Sequence, residues 1–259
     1  MTSLNSHGIR FAFGTLTVLP AHVTRWDREA ARAGMLCAPL AGLVVGVCAA
    51  AAGALSLLLG TGPLFAAVAA AAVPSVLTRG LHLDGLADTA DGLGSAKPAA
   101  DALRIMKQSD VGPFGVVTLL FVLLAQVAVG AELYGRGWQQ GAAGTVVAAV
   151  AARLALTLAS RGSVPPARPE GLGALVAGTV PVAGATAVAV AAVLGCAALG
   201  AVDGPWGALR HGLAVLAGLL AAESLLRRCV RRFGGVTGDV FGALEETAAT
   251  AALVVLALG

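Results

Sequence analysis

Charge is scarce in this chain. Of its 259 residues, 12% are Asp, Glu, Lys or Arg and 58% are hydrophobic, against roughly a quarter charged in an ordinary soluble domain. That balance excludes a water-covered globule. Aromatic residues make up only 4%, the net charge is +3, and no basic run is interleaved with aromatics, so no nucleic-acid partner is expected. Cys37, Cys48, Cys196 and Cys229 include no CxxC pair and three of them lie in apolar stretches, which argues against both a disulfide and a zinc site. What the chain does have is alanine and glycine, 35 of the latter, the small residues through which helices pack closely in lipid. Only helices or closed barrels cross a bilayer, and these apolar runs are too long for barrel strands. The expected fold class is therefore all-α: a polytopic integral membrane helical bundle, forming one domain over 1–259.

A bilayer core asks for about 20 apolar residues per helix. Seven stretches qualify, near 34–59, 63–79, 114–133, 139–160, 182–202, 206–226 and 239–258. The second is short and contains Pro74, and the last carries Asp239, Glu245 and Glu246 in its first two turns. The opening MTSLNSHGIRFAFGTLTVLP is too weakly apolar for a signal peptide and is expected to lie along the membrane surface. Positive loops stay in the cytoplasm. Placing the N-terminus inside puts Arg10, Arg25, Arg28, Arg32, Arg79, Lys97, Arg104, Lys107, Arg161, Arg168, Arg227, Arg228, Arg231 and Arg232 on that side, fourteen of the seventeen basic residues. Both acidic groups then reach the same cytoplasmic face.

The first of these groups is RGLHLDGLADTADGLGS, residues 79–95. If 82–92 is helical, Asp84, Asp88 and Asp91 stand at i, i+4 and i+7 on one face, where like charges repel unless a cation lies between them. Hard divalent cations take oxygen ligands, and Mg²⁺ commonly uses one or two carboxylates together with substrate phosphates. Gly85 and Gly92 leave room beside the stripe for a ligand or another helix. A solvated acidic helix face is the plainer alternative. His82 precedes the stripe and either orients a carboxylate, contacts phosphate or is only an interfacial polar residue.

Two further elements carry chemistry. In LRIMKQSDVGPFG, residues 103–115, Arg104 and Lys107 share a helix face suited to phosphate oxygens or to anionic lipid head groups. In RRFGGVTGDVFGALEE, residues 231–246, Gly234, Gly235 and Gly238 form a loop whose amides can approach an anion, Thr237 is placed to cap a helix, and Asp239 and Glu246 stand at i, i+7. Acidic residues entering a membrane are expensive and usually functional. The Pro-rich RGSVPPARPEGLG, 161–173, reads as a loop able to contribute a lid.

HLDGLADTADG at 82–92, IMKQSDVGPFG at 105–115 and GGVTGDVFGALEE at 234–246, with an early FGTLTVLP at 13–20, occur in an order that resembles the cobalamin synthase family, the adenosylcobinamide-GDP ribazoletransferases. The resemblance implies a Mg²⁺-dependent membrane enzyme that joins adenosylcobinamide-GDP to α-ribazole, or its 5′-phosphate, and releases GMP. It implies metal ligands at Asp84, Asp88, Asp91 and Asp239, catalytic roles for Asp88, Asp91 and Asp239, and substrate contacts from His82, Arg104, Lys107, Thr237, Gly238 and Glu246. A bacterial or archaeal cytoplasmic (inner) membrane follows, with the lipid bilayer, other membrane-associated corrinoid enzymes or a second copy as partners. A CDP-alcohol phosphatidyltransferase echoes the D-x-x-x-D spacing, but its DG, AR and GxxxDxxxD pattern is not matched. An ion-coupled transporter would place acids near the bilayer midplane and repeat them, which this sequence does not.

Overall fold

The computed structural model describes residues 2–258, and of residues 2–5 only the backbone path. Among the described residues there are eleven α-helices and no sheet: α1 (Thr2–Leu16), α2 (Arg28–Leu58), α3 (Pro63–Leu77), α4 (Leu81–Gly94), α5 (Ala99–Ile105), α6 (Pro113–Arg136), α7 (Trp138–Ala159), α8 (Leu172–Val176), α9 (Val182–Gly200), α10 (Gly204–Phe233) and α11 (Gly238–Ala257). The bundle is a polytopic one.

Helices α2, α6, α7 and α11 are each long and apolar enough to cross a membrane, as is the 52-residue run Val182–Phe233. That run doubles back at the 3-10 turn Ala201–Asp203, so α9 packs on α10. Length and composition give five crossing segments when Val182–Phe233 is counted once, or six when α3 and α4 count as one bent crossing; with that run divided at its hairpin, each of the seven expected stretches coincides with a helix. The weakest of the seven is the second. Helix α3 has 15 residues, about 22 Å at 1.5 Å per residue, short of the hydrocarbon core.

Small residues set the packing. A Cβ on Gly42 would lie 2.5 Å from the Ala149 carbonyl oxygen, and one on Gly46 would lie 2.8 Å from the Ala149 Cβ, so α2 and α7 meet backbone to backbone. The Thr157 hydroxyl then donates to the Met35 carbonyl at 2.6 Å. The N-terminal segment is more than a surface strip: Phe11 and Ala12 are fully buried, with Gly34 giving way to the Phe11 ring. Asp27 caps α2 by accepting from the Glu29 and Ala30 amides at 3.0 Å. The Arg25 side chain, and next the Ala30 amide, hold its carboxyl below the ordinary value.

Between α3 and α4 the chain turns by 88°. Arg79 and Gly80 are both left-handed, at φ 55° and 70°, a conformation that glycine adopts freely and arginine only under tertiary constraint. The turn sends α4 across the end of the bundle, against the first turns of α11 and α6. The starts of α2, α4, α6 and α11 and the ends of α3, α7 and α10 gather there.

Candidate functional site

Two helices build the site by touching through glycine. A Cβ on Gly85 of α4 would stand 2.6 Å from the Asp239 carbonyl oxygen, and one on Gly242 of α11 would stand 2.9 Å from the His82 carbonyl oxygen and 3.2 Å from the Gly85 Cα. No side chain fits between the two backbones. Asp84 and Asp88 of α4 are thereby held beside Asp239 of α11, and Asp88 lies within electrostatic reach of Asp84, Asp239, Asp91 and Arg168. Asp84 is exposed, Asp88 and Asp239 half-buried. Asp84 opens into a cleft of about 700 Å³ whose wall includes Thr15, Thr17, Thr78 and Val111.

Asp91 belongs to a different arrangement. It is buried and accepts hydrogen bonds from the Gly112 and Gly115 amides at 2.8 and 3.0 Å, so it caps the start of α6. A Cβ on either glycine would come within 2.5 Å of the carboxylate. The stripe expected from the i, i+4, i+7 spacing is real, but α6 covers its last member, and the glycines of DVGPFG admit that carboxylate. Expected as a metal ligand and catalytic group, Asp91 stands in this structure as the cap of α6. Asp91→Ala is expected to lower the thermal midpoint, at a cost of about 2 kcal/mol for two charge-assisted bonds to exposed helix-end amides. Asp91→Asn, keeping one acceptor, is expected to fall between. Thermal unfolding in detergent measures both.

At the start of α11, Thr237 is a buried cap: its hydroxyl accepts from the Val240 amide at 3.3 Å and donates to Asp239 Oδ2 at 3.1 Å. Gly238 is exposed, with open space where a Cβ would go. Gly235 has another purpose. The Pro-rich loop runs alongside it, with Ala167 donating to the Val236 carbonyl at 2.9 Å and Val236 to the Pro165 carbonyl at 3.0 Å. A Cβ on Gly235 would collide with Pro165 and Pro166.

That pairing delivers Arg168, which the sequence reading left among loop residues. Its Nη1 lies 3.7 Å from Asp239 Oδ2, and its Nη2 donates to the Leu103 carbonyl. Arg168 is the cation placed among the carboxylates. Its one signal in the sequence was an arginine between prolines, in a loop returning to the GGVTGD end. Arg104 and Lys107 stand further out and exposed, Arg104 paired with Asp101 and Lys107 3.6 Å from Glu170. Lys107 acts electrostatically on Asp239.

His82 and Glu246 lie elsewhere. His82 is 4% exposed and does not line the cleft. Glu246 accepts from Gln126 Nε2 at 2.8 Å, seven residues and roughly 10 Å along α11 from Asp239. Both were expected as substrate contacts, and the structure places them in the interior, where their helix phase turns them toward α6 and α7.

Asp84, Asp88 and Asp239 fit a hard dication shared with phosphate, because all are carboxylate oxygens and such an ion keeps several positions for substrate and water. Among the described residues no three His, Cys, Asp or Glu side chains stand together closely enough to hold a metal ion by themselves.

Apolar helices joined at one end by facing carboxylates and an arginine define a multi-pass membrane transferase. The chain belongs to the cobalamin-5-phosphate synthase family, whose model matches residues 8–257. It is 45% identical to a protein of Frankia casuarinae over 96% of this chain and 94% of that one. It is 42% identical to one of Nocardioides sp. over 95% and 96%, and 38% identical to one of Bradyrhizobium diazoefficiens over 96% and 92%. Each of these relatives is named adenosylcobinamide-GDP ribazoletransferase. No solved structure matches the chain.

Proposed function

We propose that the space among Asp84, Asp88 and Asp239, beside the contact of α4 with α11, is the reaction centre of an adenosylcobinamide-GDP ribazoletransferase, acting late in cobalamin biosynthesis. The carrying observation is the glycine-to-glycine contact that sets Asp84 and Asp88 beside Asp239, with Arg168 on the same carboxylate. In the reaction a ribose hydroxyl of α-ribazole, or of its 5′-phosphate, attacks the phosphorus next to the cobinamide. An oxygen–phosphorus bond forms, the pyrophosphate bridge breaks, and GMP leaves.

Phosphoryl transfer asks the protein mainly for positioning and neutralisation of charge. Asp84, Asp88 and Asp239 would hold Mg²⁺, which when bound draws charge from the pyrophosphate oxygens. Arg168, anchored on the Leu103 carbonyl, presents its guanidinium to the phosphates, with Lys107 behind it. Asp239 is also the carboxylate placed to take the proton of the attacking hydroxyl, since the Thr237 hydroxyl orients it. The threonine-lined cleft beside Asp84 gives the substrates a polar entrance.

The arginines and lysines near this end, including Arg28, Arg79, Lys97, Arg161 and Arg227 to Arg232, against Arg136 and Arg210 at the other, support a cytoplasmic site with the N-terminus inside, in the inner membrane. The test is GMP release by detergent-purified protein given adenosylcobinamide-GDP and α-ribazole. Release is expected only with both the acceptor and Mg²⁺; release without either would overturn the reading.

A further inference from the structure

The largest fully buried side chain in the protein is a charged one. Arg153, in the middle of α7, is 2% exposed, and its Nη1 pairs with Glu245 of α11, whose side chain is 3% exposed. Burying two charges costs free energy that their attraction only partly returns, and a well-packed apolar pair commonly does as well. The pairing with Glu245 also leaves the guanidinium unfinished: Nε and Nη2 are buried with no partner. A second orphan lies nearby. His82, on the first turn of α4, has a buried Nε2 without a partner and lies within electrostatic reach of Arg153.

Three helices therefore present complementary groups to one place. Beside Arg153 and Glu245 is a partly open cavity of about 80 Å³, mostly apolar in its wall but with Arg153, Glu245, Glu246 and Gln126 on it, which gives water both room and polar partners. Gly42 brings α2 down on the base of this arginine side chain, whose Cβ lies 3.1 Å from where a glycine substituent would stand. Glu245 lies six residues beyond Asp239 on α11, and His82 lies two residues before Asp84 on α4. Each tie sits within two turns of a carboxylate of the proposed centre.

We propose that Arg153 is a positioning residue: one arm of its guanidinium holds α11 through Glu245, and the free arm holds α4 through a water that bridges it to His82. The rigid α7 thereby fixes the gap between Asp84/Asp88 and Asp239. This rests on reading that gap as the reaction centre. Mere neutralisation of Glu245 would need only a point charge, which lysine supplies; a two-armed tie needs the planar fork, which lysine lacks.

Arg153→Lys is the deciding variant. It is expected to purify and unfold like the unsubstituted protein, while kcat falls about 100-fold, the scale of a 1 Å misplacement, with KM for both substrates within about twofold. The Mg²⁺ concentration for half-maximal rate is expected to rise about tenfold, a change that loss of folded protein would not produce. Amide exchange over residues 81–94 is expected to quicken, with α7 and α11 unchanged. Arg153→Lys with unaltered kcat, Mg²⁺ dependence and exchange would overturn the proposal. Arg153→Met/Glu245→Met removes both charges without stranding either and is expected to fold with the same kinetic defect; its full activity would equally overturn it. If the unsubstituted protein releases no GMP, the proposed function falls, and exchange at α4 decides the positioning role by itself.

Discussion

Asp88→Asn is expected to reduce GMP release about a thousandfold, the upper range for removing one preorganised electrostatic group from a phosphoryl-transfer centre. Asp88 is the carboxylate that feels Asp84, Asp239, Asp91 and Arg168 together, so no neighbour duplicates its position. Asparagine keeps the shape and removes the charge. The fold should gain from that exchange, because repulsion among the carboxylates is relieved. The variant is therefore expected to insert, purify and unfold at or above the unsubstituted midpoint while its turnover is lost. Full turnover in Asp88→Asn would remove the stripe from the reaction.

Gly85→Ala tests the same centre without touching a charged group. The new methyl would meet the Asp239 carbonyl oxygen at 2.6 Å and its Cα at 3.0 Å, and backbone cannot rotate aside as a side chain can. Helix α4 has to withdraw by about 1 Å, a displacement worth on the order of 100-fold in rate. Gly195→Ala in α9, where nothing lies within 4 Å, is the control: alanine is the better helix former and activity should be unchanged. Turnover assays on the pair separate crowding at the centre from any general effect of an added methyl. Equal activities would mean that the contact between α4 and α11 does not set the chemistry.

The helices, the lipid-facing composition and the family were legible in the sequence because each has a periodic or ordered signal. Asp84, Asp88 and Asp239 were legible for the same reason: carboxylates are conspicuous in an apolar chain. Asp91 followed the same periodicity and yet serves another end, because spacing along a helix gives the face and not the neighbour covering it. His82 and Glu246 lie apart from the carboxylate cluster for a related reason. A residue two positions from Asp84, or seven from Asp239, is near it in the chain while its side chain points into the interior. Arg168 was missed for the opposite reason. It is distant from both motifs, and only the pairing of the Pro-rich loop with Val236 brings it to Asp239. Arg153 gave a signal, a lone arginine within an apolar span, but no partner was apparent until α7 and α11 were side by side. The hairpin of α9 and α10 was legible as two apolar stretches, whereas the 88° bend that joins α3 to α4 was not.

The loop that carries Arg168 has a bearing on how fast the enzyme can work. Pro165, Pro166 and Pro169 restrict its backbone, Val236 pairs with it on one side, and Val180 pairs with the chain at Ser160 and Gly162 on the other. Such a segment loses little freedom when a phosphate arrives, and it does not fold down over the substrate. Turnover is then expected to need no closing and reopening of this loop. A bulky corrinoid would meet an arginine already in place, with no flap to wait for.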